Sequence, residues 1–306
     1  MRFRLIMLCA AIAPLLMAGA PEPVRLQPSS PWDVDYGENS CRLMRIFGEG
    51  QDKTSLLFES PAPDHMTMLV VGQPLRTGLR EVSAKFIPAN GEPMTGRLAE
   101  SSQERAPAIL WSGVDLEPDS IVKRQHEERR YEKEHKYVRP PPFDLVQRAA
   151  DRAARQAFAS SVTGIQIDVR HDKSVVLETG PLGDAIKIFD VCMRDALKDW
   201  GVNPDVEDKI VRPVWAPEPW RWLVGEDYPD DMIMRGQESE VSARLLVDAA
   251  GKPTSCTSLS YFREPEFNKT VCTKLMARAK FWPAELADGT RVASYYTVHV
   301  IFNVGH

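Results

Sequence analysis

The chain holds 306 residues, 43% of them hydrophobic, with 38 lysines and arginines against 43 aspartates and glutamates and a formal net charge of −5. That balance argues against nucleic acid and anionic membrane surfaces as partners, because both call for a basic footprint. The length accommodates about two domains.

The N-terminus reads as an export signal. Arg2 and Arg4 precede an apolar run over residues 5–17, and Ala18-Gly19-Ala20 supplies small residues for cleavage before Pro21. A membrane-spanning helix needs about 20 apolar residues; this run is shorter and carries Pro14. Residues 1–20 are therefore expected to be removed, and the membrane becomes a partner only if residues 5–20 stay uncleaved as an anchor. Cleavage takes away Cys9 and leaves Cys41, Cys192, Cys256 and Cys272. An even number in an oxidising compartment reads as two disulfides, with three connectivities open at this point.

Residues 32–115 alternate in short apolar runs such as "CRLMRIF", "TSLLFES" and "MTMLVVG", separated by Gly, Pro, Asn and Asp clusters. The spacing predicts an antiparallel sheet of meander type. The stretch "VKRQHEERRYEKEHKYVRPPP" interleaves charges of both signs. His126 and His135 lie nine apart without an HExxH arrangement, so a solvated helical face or a mobile excursion is expected there and no metal site. An alanine-rich helix follows at about 145–159, then two strands around His171-Asp172-Lys173.

From Leu182 to Trp200 the apolar residues recur at helical spacing, and Gly201 stands where a left-handed cap is favoured. Cys192 falls on the apolar stripe of that helix, and Cys41 stands beside Leu43 on the first long strand. Both face inward, so they are expected to pair. Residues 202–226 are rich in Pro and Trp and predict a connector that packs on a neighbour.

Beyond Asp227 the pattern sharpens. "SEVSARLLVD" alternates, Asp248 to Gly251 form a turn, and "KPTSCTSLSY" returns. Pro265 starts a helix with Phe267, Val271, Leu275 and Ala279 on one side, and "SYYTVHVIFNV" is a last strand. The resulting class is α+β: a mostly antiparallel N-terminal domain with helices, then a β-β-α-β module. Cys256 on its second strand and Cys272 on its helix are expected to pair, closing a loop of about 15 residues worth on the order of 3 kcal/mol.

These residues carry a resemblance. Tyr228-Pro229, Val247-Asp248 with Gly251, Lys280-Phe281-Trp282-Pro283-Ala284, Gly289 and the Val298 to Phe302 strand resemble the TonB C-terminal domain family over residues 227–304. The resemblance implies a periplasmic interaction module whose sheet edge takes an extended segment of an envelope or outer-membrane protein. With the helix returning the chain beside the first strand, the spatial order 2-1-3 is expected. Tyr295, Thr297, His299, Ile301 and Asn303 would then lie on the outward side of an edge strand.

The division expected is 1–20 signal, 32–201 N-terminal domain, 202–226 connector and 227–306 module. "SCRLMRIFGEG" and "CMRDALKDWGV" resemble a region that accompanies such modules in exported bacterial proteins, with no activity attached. The chain departs from an energy transducer: its N-terminal run has no histidine, no long proline-rich arm follows, and Ser239 stands where the family favours glycine. An anchored transducer is the second reading and a secreted hydrolase the last. G-x-S-x-G, P-loop and G-x-G-x-x-G motifs are absent from the sequence, and "LETG" around Glu178 lacks the order of an aspartic protease. No cofactor is expected.

Overall fold

The computed structural model describes residues 22–304 apart from positions 38, 64, 90, 100–105, 135–137, 171–172 and 260–264. The export signal, His135 and the His171-Asp172 turn lie outside the described residues.

The first part of the chain supplies β1 (Val24–Leu26), β2 (Asp33–Tyr36), β3 (Cys41–Phe47), β4 (Thr54–Ala62), β5 (His65–Gly72), β6 (Glu81–Ile87), β7 (Met94–Ala99) and β8 (Ala108–Trp111). Helices α1 (Asp119–Glu134) and α2 (Leu145–Ser161) follow, then β9 (Gly164–Arg170), β10 (Lys173–Leu177) and α3 (Gly183–Asp199). The strands form one sheet in the order β1-β10-β9-β6-β7-β8-β5-β4-β3-β2. The expected meander holds from β2 to β5. It then breaks, because β8 returns beside β5 and β6 pairs with β9. The pair β1–β10 is parallel.

That order dictates a curled sheet. β1 and β2 lie at opposite edges, yet only residues 27–32 connect them, a span of about 20 Å at full extension. Ten strands laid flat would measure about 45 Å across. The edges are drawn together by backbone bonds from Ser29 to Ile46 and from Gly48 to Gln27. Arg45 of β3 also donates to the carbonyls of Ser30 and Thr179.

The predicted stripe of α3 is buried, with Ala185, Ile186, Phe189, Cys192, Met193, Ala196 and Leu197 facing the strands. α3 packs on β3 and on α2. Gly201, at φ +84°, follows its last turn. Cys41 at the start of β3 is bonded to Cys192.

The second part supplies α4 (Pro204–Glu207), β11 (Ile210–Arg212), α5 (Asp230–Met234), β12 (Ser239–Val247), β13 (Pro253–Ser258), α6 (Pro265–Arg278), β14 (Ala284–Leu286), β15 (Arg291–Val292) and β16 (Ser294–Phe302). One sheet runs β13-β12-β16 and a smaller one β11-β14-β15. Alternation along β12 buries Val241, Ala243, Leu245 and Val247 against Phe267, Val271 and Leu275 of α6. At the β12–β13 turn, Asp248 Oδ1 accepts the N–H groups of Ala250 and Lys252. Cys256 and Cys272 are bonded, tying β13 to α6.

Two features extend the expected β-β-α-β order. β14 and β15 stand between α6 and the last strand. The Pro/Trp segment also joins this unit, giving Ile210, Val214, Ala216 and Trp222 to its core. Trp215 and Trp282 exchange backbone hydrogen bonds of 3.0 and 2.9 Å, which fixes the segment to the Lys280–Ala284 element.

Candidate functional site

The candidate site is an open sheet edge, and its position follows from the order of elements. The β12–β13 hairpin occupies one side of β12, and α6 must cover the apolar face. The chain therefore comes back on the vacant side of β12. β16 pairs with β12 from Ser239↔Phe302 to Val247↔Ser294. Among the described residues no strand lies on the other side of β16, which makes it an edge strand of this sheet.

Side chains divide as a strand requires. Tyr296, Val298, Val300 and Phe302 pack against the core. Tyr295, Thr297, His299 and Ile301 alternate on the opposite side, and Asn303 follows the last residue of the strand. His299 and Ile301 are exposed, whereas Tyr295 and Thr297 are half-buried. Ser242 Oγ lies 3.0 Å from His299 Nδ1, its cross-strand partner. Glu240 Oε2 is 3.6 Å from His299 Nε2, beyond hydrogen-bond length, while Glu240 Oε1 accepts from Arg97 of β7 at 2.8 Å. Glu240 therefore ties the edge strand's neighbour to the first unit and is not reserved for the histidine. His126, on α1, is largely solvent-facing and 4.0 Å from Asp115. No group of three or more metal-binding side chains converges among the described residues.

The half-burial of Tyr295 and Thr297 has a cause. The side of the β13-β12-β16 sheet away from α6 rests on the first unit, and Arg244 of β12 is its key. Arg244 is 3% exposed and donates to the carbonyls of Asn39 at 3.0 Å and Pro61 at 2.6 Å. Its guanidinium carbon lies 3.1 Å from the centroid of the Trp200 ring. Loss of water lowers its pKa to about 10, with Tyr295 acting in the opposite sense. Alternation alone placed Arg244 on a polar face; nothing in its own strand distinguishes a solvated face from one covered by carbonyls.

Further contacts join distant segments of the chain. Ser294 Oγ donates to Glu207 of α4 at 2.7 Å, and Phe143 N–H donates to Val211 O at 2.6 Å. Arg139 pairs with Glu285 at 2.7 Å, and both are largely buried. The Arg139 hydrogen bond holds the Glu285 carboxyl below the usual range; burial opposes this and Arg212 adds to it.

On the core side, residues 222–228 run along β16 as a strap. Trp222 packs on Phe281 and on Tyr296 near the start of β16, and Tyr228 packs on Phe267 and on Phe302 at its end. Between them Asp227, 6% exposed, takes Lys274 at 2.7 Å, Arg278 at 2.5 Å and the Val224 N–H at 3.0 Å. Burial would raise the Asp227 carboxyl. Lys274, the Val224 amide and Arg278 outweigh it and bring the pKa to about 2.

Residues 225–304 match the family TonB_C, described as Gram-negative bacterial TonB protein C-terminal. The match starts inside the strap and ends just past β16, about a quarter of the chain. This family is one of non-catalytic, envelope-associated interaction domains. No curated protein is significantly similar to the chain. No described helix is long and apolar enough to cross a membrane.

Proposed function

We propose that this is a periplasmic, non-catalytic protein that captures an extended segment of an envelope or outer-membrane protein by strand addition to β16. One observation supports this above others: β16 is an edge strand, paired with β12 and with no second strand among the described residues, in a module matching a family of interaction domains. Main-chain pairing would give affinity, and the exposed outward residues His299 and Ile301 would read alternate partner side chains. Tyr295, Thr297 and Asn303 complete the set assigned to this role. Docking of the opposite sheet face on the first unit leaves the edge as the route of approach. We assign residues 1–20 to a cleaved signal, 32–201 together with β1 to the N-terminal domain, and 227–306 to the module, with the connector 202–226 packed into the module's core.

A proline scan from Thr297 to Ile301 tests the reading, with circular dichroism as the fold control. Amides alternate between β12 and the open edge, so alternate prolines should unfold the sheet and the others should leave it folded. Titration with immobilised outer-membrane protein segments should show the folded variants losing binding. Unchanged binding by every folded variant would refute strand addition. Mass spectrometry of the native protein should find Pro21 at its N-terminus. Intact Met1 in the inner-membrane fraction would favour the anchored energy transducer instead.

A further inference from the structure

The Arg244 socket is built from three separate stretches, and one covalent bond connects them. Asn39, whose carbonyl accepts from Arg244, stands two residues before Cys41. Pro61, the second acceptor, follows Ser60, and Ser60 is the cross-strand partner of Cys41. Trp200, the ring beneath the guanidinium, ends the helix that carries Cys192 two turns earlier. All three therefore converge on Cys41–Cys192.

A buried guanidinium with carbonyl acceptors and a ring in place of a carboxylate depends on geometry for its stability. Displacing either half of the socket strands N–H donors away from water. The only covalent tie between the β2–β3 turn and α3 among the described residues is this bridge. The other bridge, Cys256–Cys272, joins β13 to α6 within the second unit.

We propose that Arg244 and its socket form a lock between the two units, held in register by Cys41–Cys192, so that opening this one bridge frees Arg244 from its socket while Arg139–Glu285 and Arg97–Glu240 still join the units. Opening takes a dithiol reductant. It donates two electrons and two protons to the bridge, gives two protein thiols at Cys41 and Cys192, and leaves as its own disulfide. The freed Arg244 would then reach solvent beside the β16 edge. The lock is independent of what binds that edge.

The test is labelling of Arg244 with phenylglyoxal, followed by peptide mass spectrometry. In the oxidised full chain Arg244 should resist labelling. After Cys41–Cys192 is opened, or in C41S/C192S, its labelling should accelerate about tenfold or more, the equilibrium equivalent of losing one charge-assisted hydrogen bond. Arg278, which belongs to the second unit alone, is the internal reference and should not change. Arg244 that stays protected with both thiols free would overturn the lock. Linkage supplies a second arm that leaves both cysteines intact. If the bridge favours docking, docking must favour the bridge by the same factor. In R244A the dithiol titration of Cys41–Cys192 should therefore shift toward milder reductant by a similar fold, and that of Cys256–Cys272 should not. An unshifted titration overturns the proposal even if C41S/C192S fails to fold.

Discussion

Replacing Asp227 with Asn removes the charge that fixes the strap to α6 while keeping the side chain's shape. A carboxyl held at about 2 against an ordinary 3.8 contributes roughly 2 kcal/mol at neutral pH. Removing one partner of a fully buried pair costs about 3–5 kcal/mol, because the other charge is left without compensation. The lower figure should apply here, since Lys274 and Arg278 are 35% and 40% exposed and can turn to water. The sign is fixed by the depressed value: the contribution is complete above 3.8, where the unfolded carboxyl is also ionised, and falls away as pH drops through about 2. Urea-dependent hydrogen exchange of the β12–β16 amides isolates this unit from the first. Asp227→Asn should lower its stability by about 2 kcal/mol at pH 7, and the gap from wild type should shrink steadily between pH 4 and pH 2. A variant equal to wild type at pH 7, or a gap that does not shrink with acid, would refute the account of Asp227 as the strap's anchor.

Two further outcomes use the same measurement. Cys256→Ala with Cys272→Ala should lower the stability of the second unit by about 3 kcal/mol, the loop-closure value for a short loop, and leave exchange in β3 and β4 unchanged. Gly251 and Gly289 have nearly equal φ of +82° and +83°, but a Cβ at Gly251 would meet Phe281 O at 2.2 Å while one at Gly289 meets nothing within 4 Å. Gly289→Ala should therefore cost only the left-handed penalty of about 1–2 kcal/mol, and Gly251→Ala distinctly more; equal losses would show that the contact with Phe281 is relieved cheaply.

Much of the architecture was legible because it rests on periodicity. The α3 stripe from Leu182 to Leu197 and the β12 alternation from Val241 to Val247 each bury one face, and burial of one face is what a repeating pattern records. The position of β16 was legible for a different reason: a two-strand hairpin and one covering helix leave a single vacant place beside β12. The β8 insertion next to β5 was not legible. Pairing between strands separated by β6 and β7 is set by which edges meet when the sheet curls, and no local residue announces that. β14 and β15 are not legible either, because two- and three-residue strands carry no alternation to count.

The same reasoning explains why neither Asp227, which anchors the strap, nor Arg244, which ties β12 to the first unit, is legible in the sequence. Asp227 sits at the boundary where the sequence pattern changes, and an aspartate before Tyr228-Pro229 looks like an ordinary turn residue. Its partners Lys274 and Arg278 stand one helical turn apart on α6, on a face that reads as solvated. Arg244 falls at an outward position of β12, where a charged side chain is the commonplace choice. Its acceptors are the carbonyls of Asn39 and Pro61, which have no sequence signature, and its ring partner Trp200 stands just past the end of α3, far back in the chain. A polar residue on an alternating strand thus fixes the strand's inner face and is silent on what covers the outer one. In this chain the outer face carries the contact between units, so the edge at β16 is presented by the N-terminal domain and not by a free module. A partner strand binding there would meet the module in one fixed orientation for as long as Arg244 remains in its socket.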